Sequence, residues 1–176
     1  MRTNLLVTVF SMLMLSFLIS LTFQSVSALE GQLKILVIPV SFNDTNIRPR
    51  AALVGHTINA YLSDYVREVS YGKLELDLKV TNWVNLSSSW NDFEGYTYSS
   101  DILRQFLIQT LNDTSEDISA YSAIMLVHLG PCEDRSCARG GLINLEEFGV
   151  LRYILVPFGA SKLYYVYAFF RAFGSE

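Results

Sequence analysis

The segment Tyr61–Leu86 constrains the fold of this chain most, because it joins an amphipathic helix to an alternating strand through one tight turn. The helical pattern covers about Arg50–Ser70, and its apolar residues recur three and four positions apart: Ile58, Tyr61, Leu62, Tyr65, Val66 and Val69. Apolar and charged residues then alternate through Leu74–Val80, which is typical of a half-buried strand, and the strand pattern as a whole runs from Lys73 to Leu86. Gly72 lies between the two patterns, where a helix end favours a left-handed residue, so we expect a positive φ there.

Four further segments define the remaining elements. Leu33–Phe42 and Tyr121–Leu129 are nearly continuous apolar runs, which predict buried strands. Asp101–Leu111 has a helical apolar face, and Arg152–Val156 is a further candidate strand. Pro131–Gly141 is predicted to be a loop. The order strand, helix, strand, helix, strand predicts the α/β class, with a mixed sheet and flanking helices.

The first residues of the chain resemble an export signal. Arg2 precedes the apolar run Leu5–Phe23, and Val26–Ala28 fits a small-residue cleavage site. We therefore expect residues 1–28 to be a signal peptide that is removed after Ala28. The apolar run is also long enough to span a bilayer, so an uncleaved membrane anchor is the alternative. In either case residues 29–176 are expected to lie outside the cytoplasm, secreted or attached to the membrane.

Size and charge limit the possible functions of the remaining part. A chain of about 150 residues buries roughly two-thirds of its unfolded surface, which is enough for one domain with a real core. The formal net charge of the whole sequence is −4. An acidic chain is a poor partner for nucleic acid, whose binding depends on lysine and arginine, so we expect no nucleic-acid partner.

Cys132 and Cys137 are the two cysteines of the sequence. Outside the cytoplasm such a pair usually oxidises, and the residues between them are polar, so we predict a local disulfide. A metal role together with His128 is the alternative, although the spacing of the cysteines is not a common zinc pattern.

The other polar residues are interpreted as glycosylation sequons, packed or solvated histidines, and solvated carboxylates. Asn43, Asn85 and Asn112 begin possible N-glycosylation sequons. His128 ends an apolar strand and is expected to be hydrogen-bonded and partly buried, whereas His56 is expected to be solvated or to pack on its helix. The candidate carboxylate pairs, which we expect to be solvated, are Glu146 with Glu147 and Asp92 with Glu94. No Ser-His-Asp or Cys-His arrangement stands out.

The helix–turn–strand segment also resembles a known family. The pattern Y-x-x-E-V-S-Y-G-K-L at residues 65–74, followed by W-V-x-L at 83–86, is similar to the start of the catalytic domain of secreted zinc metallopeptidases of the immune inhibitor A type. Leu33–Phe42 resembles the opening strand of that domain, and Ser119–Gly130 the strand before its active-site region. The resemblance covers residues 34–130. It implies the upper half of a zincin metallopeptidase domain, zinc and often calcium as cofactors, and protein or peptide substrates.

The polar turn Asn43–Thr45 also resembles the family, and the oxygen atoms of Asn43, Asp44 and Asn46 are candidate calcium ligands. A plain Asx turn is the alternative for the same residues.

The family's zinc motif, H-E-x-x-H on a helix, is absent from the sequence. A short alignment of Val166–Gly174 puts Phe169, Phe170 and Phe173 where the first ligand, the base and the second ligand belong. Phenylalanine neither coordinates zinc nor moves a proton. The alternative interpretation is an apolar segment that packs on the sheet.

These observations predict no catalytic residue, no metal ligand and no bound cofactor in this chain. We expect residues 29–176 to be an incomplete metallopeptidase-like domain, truncated and inactive, which would meet a peptide substrate only if a missing C-terminal part completed it. A degenerate, non-catalytic relative of the family is the alternative to truncation. Whether the chain is an enzyme is left open. The alternative is a non-catalytic exported domain for binding or interaction.

Overall fold

The computed structural model describes residues 30–45, 48–93, 99–131 and 137–174. In these ranges the strands are β1 Gly31–Ser41, β2 Leu74–Val80, β3 Val84–Asn85, β4 Ala123–His128, β5 Arg139–Leu145 and β6 Gly149–Pro157. The α-helices are α1 Ala51–Ile58, α2 Asp64–Val69, α3 Ser100–Asn112 and α4 Lys162–Phe173. A π-helical segment, Asn59–Ser63, joins α1 to α2, and two short 3-10 turns are Trp90–Asp92 and Ile118–Ala120.

The strands form one six-stranded sheet in the order β2-β1-β4-β6-β5, and β3 pairs with β1 beyond the end of β2. All neighbouring strands are parallel except β5, which runs antiparallel to β6 at one edge. The predicted α/β class, with a mixed sheet and flanking helices, is confirmed.

Helices cover both faces of the sheet, and each face has its own apolar core. On one face Ile35 and Val37 of β1 pack with α1, α2 and α4. On the other face Leu36 and Ile38 pack with α3 and with the aromatic residues of the Trp90 turn. Burial on both faces explains why the β1 sequence is a continuous apolar run rather than an alternating one.

The helix–turn–strand segment has the predicted form in outline. Gly72 has φ +75°, as expected, and its N–H donates to the carbonyl of Arg67 at 2.8 Å. The sequence did not predict the π-helical segment inside the long helix. The strand is also shorter than predicted, because Trp83 does not extend it: the Trp83 Nε1 donates to the carbonyl of Pro49 at 2.8 Å, and the chain returns to pair with β1.

The prediction of a loop through Pro131–Gly141 was wrong at its end, because β5 begins at Arg139. Glycine weakens a strand locally, which is why the sequence pattern missed it. The backbones of β5 and α4 approach each other closely at Gly140. A Cβ there would lie 2.0 Å from the carbonyl oxygen of Ala168 in α4. The last apolar segment packs on the sheet, as its alternative interpretation expects, since α4 buries Tyr165, Ala168, Phe169 and Ala172 there.

Gly140→Ala is expected to destabilise the fold, because the new methyl group must push α4 away from β5. Overpacking of this kind costs about 1–3 kcal/mol, which a chemical denaturation curve resolves. Gly141→Ala is the matched control, since a Cβ there would meet Tyr153 at an ordinary 3.6 Å. Equal stability of the two variants would contradict the close contact between α4 and β5.

Candidate functional site

The sheet offers one topologically favoured place for a ligand. The chain continues from β1 to β2 and from β4 to β5, and β2 and β5 lie on opposite sides of the β1–β4 pair. In open α/β sheets, ligands bind outside the carboxyl ends of the strands where the connections diverge in this way. The residues at that point follow Ser41 and His128, and their surroundings are the candidate site.

The indole of Trp90 fills this crevice. It stacks on the imidazole of His128, with ring centroids 4.7 Å apart and an interplanar angle of 13°, and meets Phe42 edge-on at 5.2 Å. Gly130 makes room for it, because a Cβ there would lie 2.2 Å from the indole. Phe93 and Phe106 complete the aromatic cluster around Phe42. The crevice is therefore closed by side chains of the protein itself.

Polar side chains hold the Trp90 turn over the crevice. The Asp44 carboxylate accepts from the backbone N–H of Trp90 at 3.1 Å, and the Asn43 Nδ2 donates to the carbonyl of Ser87 at 2.7 Å. Ser89 and Asp92 form a capping box that begins the 3-10 turn. Asn43 and Asp44 thus act as turn residues that join two loops. The calcium alternative also needs Asn46, which lies outside the described residues.

His128 is fully buried, which corrects the expectation of partial burial. Burial lowers the pKa of His128 from its ordinary value of 6.5 to about 3. The imidazole is therefore neutral at physiological pH, and it serves as a flat aromatic partner for Trp90. A buried neutral ring that another side chain covers has no access to a substrate, so it offers no acid–base chemistry in this conformation.

The buried His128 should make stability fall in acid. Because its folded pKa is below its unfolded value, the unfolded state binds more protons, and stability is fully present only above about pH 6.5. As pH falls from there toward 3, the contribution of His128 is lost with a slope approaching about 1.4 kcal/mol per pH unit. Denaturation curves between pH 7 and 5 measure this slope.

Two variants isolate the effect. His128→Gln should flatten the dependence on pH, because glutamine does not titrate, whatever it does to absolute stability. His56→Gln is the matched control, because it removes the other histidine of the sequence, which is exposed on α1. A slope that survives in His128→Gln would show that carboxylates, not His128, cause the loss.

The helix α4 carries the residues that the alignment placed at zinc-ligand positions. Phe169 and Phe173 lie one turn apart on the same side of α4, with ring centroids 4.8 Å apart. Both are buried in the core that faces the sheet, whereas Phe170 is exposed and meets Tyr65 edge-on. A catalytic zinc needs ligands that face an open position for water. The ligand positions of the alignment face the sheet instead.

The other candidate residues are dispersed. Asn43 and Asn85 are exposed near the carboxyl ends of β1 and β3, and Asn112 is exposed at the end of α3. Glu146 and Glu147 are exposed between β5 and β6, and Asp92 belongs to the capping box. Glu94 lies outside the described residues. Within the described ranges, no three His, Cys, Asp or Glu side chains are placed to hold a metal ion.

The cysteine pair is only partly within the described residues. Cys137 is half-buried just before β5 and holds no free thiol. Cys132 lies outside the described residues, so its pairing with Cys137 stays a prediction.

Intact-mass measurement after alkylation tests the pairing. We expect no alkylation of the unreduced chain and two alkylated thiols after reduction. Because the loop is short, reduction should lower stability by about 2 kcal/mol on the chain-entropy description. Two modified thiols without reductant would refute the bridge.

The sequence interpretation missed the role of Trp90. Residues 87–100 have the composition of a surface loop, yet Trp90 and Phe93 are among the buried core residues. The available signal was S-W-N-D at 89–92, a capping-box spacing around an aromatic residue. Aromatic residues within a polar loop favour a loop that folds back onto the core.

Comparisons with known proteins add no family assignment. No family model matches the chain, and a search of curated proteins found no match. The fold defines the class as an α/β domain with a mostly parallel sheet. The resemblance to zinc metallopeptidases stays a prediction. Across the described residues, no helix has the length and apolar character that crossing a membrane requires.

Proposed function

We propose that this chain is an exported domain of the metallopeptidase type that does not hydrolyse peptide bonds by itself. The resemblance at residues 65–86 motivates the family, and the α/β sheet flanked by helices agrees with it. The orientation of α4 is the observation that supports the proposed lack of hydrolysis. Phe169 and Phe173, at the positions of the alignment's ligands, face the sheet core.

The physical argument concerns what a zinc hydrolase must supply. The metal lowers the pKa of its bound water enough to make hydroxide near neutral pH, and a carboxylate takes the proton. Phe170 occupies the position of that carboxylate in the alignment and has no group that accepts a proton. His128, a possible replacement ligand, is buried beneath Trp90. At these described positions, hydrolysis by this chain alone therefore lacks both ligands and a base.

A non-catalytic binding domain is the second candidate, and the outer side of α4 favours it. Leu163, Tyr167 and Phe170 recur at helical spacing there and are all exposed. Tyr65 of α2 extends this apolar stripe through its edge-on contact with Phe170. The nucleotide sequence after the codon for Glu176 distinguishes the candidates: an encoded H-E-x-x-H in any frame favours the metallopeptidase type, and its absence favours the binding domain.

The exported chain, purified and dialysed, should contain no stoichiometric zinc and release no peptides from casein. Its N-terminal residue should be Leu29 if the signal peptide is removed as predicted; a start at Met1 in the membrane fraction would indicate an anchor instead. Metal analysis and casein assays with and without a chelator are the measurements. One zinc per chain together with chelator-sensitive cleavage would overturn the proposal, and His128 would then be the first residue to mutate.

Paired histidine substitutions test the orientation of α4 directly. Phe169→His with Phe173→His should bind no zinc while the chain stays folded, because both positions face the core. Leu163→His with Tyr167→His has the same spacing on the exposed side of α4 and should take up zinc weakly. Zinc binding by the first pair in a folded chain would indicate an open cleft on that face, contrary to the packing described above.

A further inference from the structure

Among the residues that the structure describes, the outer edge of β2 carries unpaired backbone groups. The carbonyl of Lys73 accepts from Gly31, and the N–H of Thr81 donates to Val37, so the odd-numbered residues of β2 direct their backbone groups toward β1. In a ladder the alternate residues point the other way, here away from the sheet. Leu74 confirms the direction, because its N–H meets Ser70 Oγ instead of β1.

The remaining outward residues of β2 are Leu76, Leu78 and Val80. Within the described ranges, β2 pairs only with β1, and no backbone group meets these three on the outer side. An exposed strand edge of this kind is a template for another strand. The sequence of β2 decides which strand fits it.

We propose that the edge of β2 binds the same edge of a second copy of this chain, antiparallel and centred on Leu78. In this register Leu78 pairs with Leu78 of the second copy, and Leu76 pairs with its Val80. These residues have outward backbone groups in both copies, so each pair exchanges N–H···O bonds. The two sheets then form one continuous sheet around a two-fold axis.

Charge selects this register over its neighbours. Centred on Leu78, Asp77 lies opposite Lys79 of the second copy, and the same pair recurs across the axis. Centred on Asp77, two aspartates oppose each other; centred on Leu76, Glu75 opposes Asp77. Like charges directly opposite are destabilising, and opposite charges are stabilising. The register centred on Leu78 is free of such like-charge pairs.

The apolar face of β2 agrees with the same register. Leu76, Leu78 and Val80 are only partly buried, and with Ala52, Gly55 and His56 of α1 they line an open cleft of about 390 Å³. In the pairing above, leucine and valine meet leucine and valine across the axis. The open clefts of the two copies thereby adjoin, which removes apolar surface from water.

A salt bridge within the chain competes with the proposed pairing of Lys79 with Asp77 of the second copy. Lys79 Nζ lies 3.2 Å from a Glu116 carboxylate oxygen, and the lysine side chain is more than half exposed. An exposed pair of this kind is worth little, so Lys79 can turn to Asp77 of the second copy at small cost.

Sedimentation velocity of the full chain, as its host exports it, tests the proposal. We expect a monomer–dimer equilibrium that depends on concentration. Lys79→Glu places acidic residues opposite each other and should weaken dimerisation at least about tenfold. Lys162→Glu is the matched control, because it makes the same charge change on α4, whose sheet contacts are with β5 and β6, and it should leave dimerisation unchanged.

A complementary pair makes the test independent of simple misfolding. Asp77→Lys alone and Lys79→Glu alone should each self-associate poorly. Mixed, the two variants should form a heterodimer, because each lysine of one chain then faces an acid of the other. A chain that is monomeric at every concentration, a dimer insensitive to Lys79→Glu, or variants that fail to pair when mixed would each overturn the proposal.

Discussion

The fold depends on the burial of β1 on both of its faces. β1 pairs with β2, β3 and β4, so three of the other five strands described take their register from it. Its inner residues from Ile35 to Ile38 have no exposed surface and alternate between the two helical layers. Fully burying each such side chain stabilises by about 1.5–3 kcal/mol, and a polar substitution at any one of them would bury a polar group without a partner in the core on its face.

The same strand explains why the favoured ligand site is filled. Phe42 continues β1 into the crevice between β1 and β4, and His128 ends β4 opposite Val40, with its ring edge-on to Phe106. The phenylalanine rings in this crevice offer no hydrogen-bond partner to water. Trp90 supplies a flat ring of matching shape, while Asp44 fixes its backbone. The Trp90 indole thus occupies the position where other open α/β sheets bind ligands, and its burial there stabilises the fold.

Much of the fold was predictable from local patterns, and the failures have physical causes. The helix before Ser70, the turn at Gly72 and the buried strands follow from periodicity and from the left-handed preference of glycine. β5 was missed because its Gly140 is explained only by α4, which lies later in the sequence. The Trp90 turn was missed for a similar reason. Its polar composition is typical of a surface loop, whereas the indole of Trp90 stacks on His128, which lies far away in the sequence. In both cases the contact that explains the residue is with a distant part of the sequence.

The two sides of α4 connect the fold to the question of catalysis. A zinc hydrolase must keep one side of its active-site helix polar and open, because the metal needs donors and a water position. Here the side with Phe169 and Phe173 is packed on the sheet, where Arg152 also lies over the Phe173 ring at 4.7 Å. Replacing these phenylalanines with metal-binding residues would lose the free energy of apolar burial. The newly buried polar atoms would also need hydrogen-bond partners. On this face the sequence of α4 therefore follows the requirements of apolar packing against the sheet.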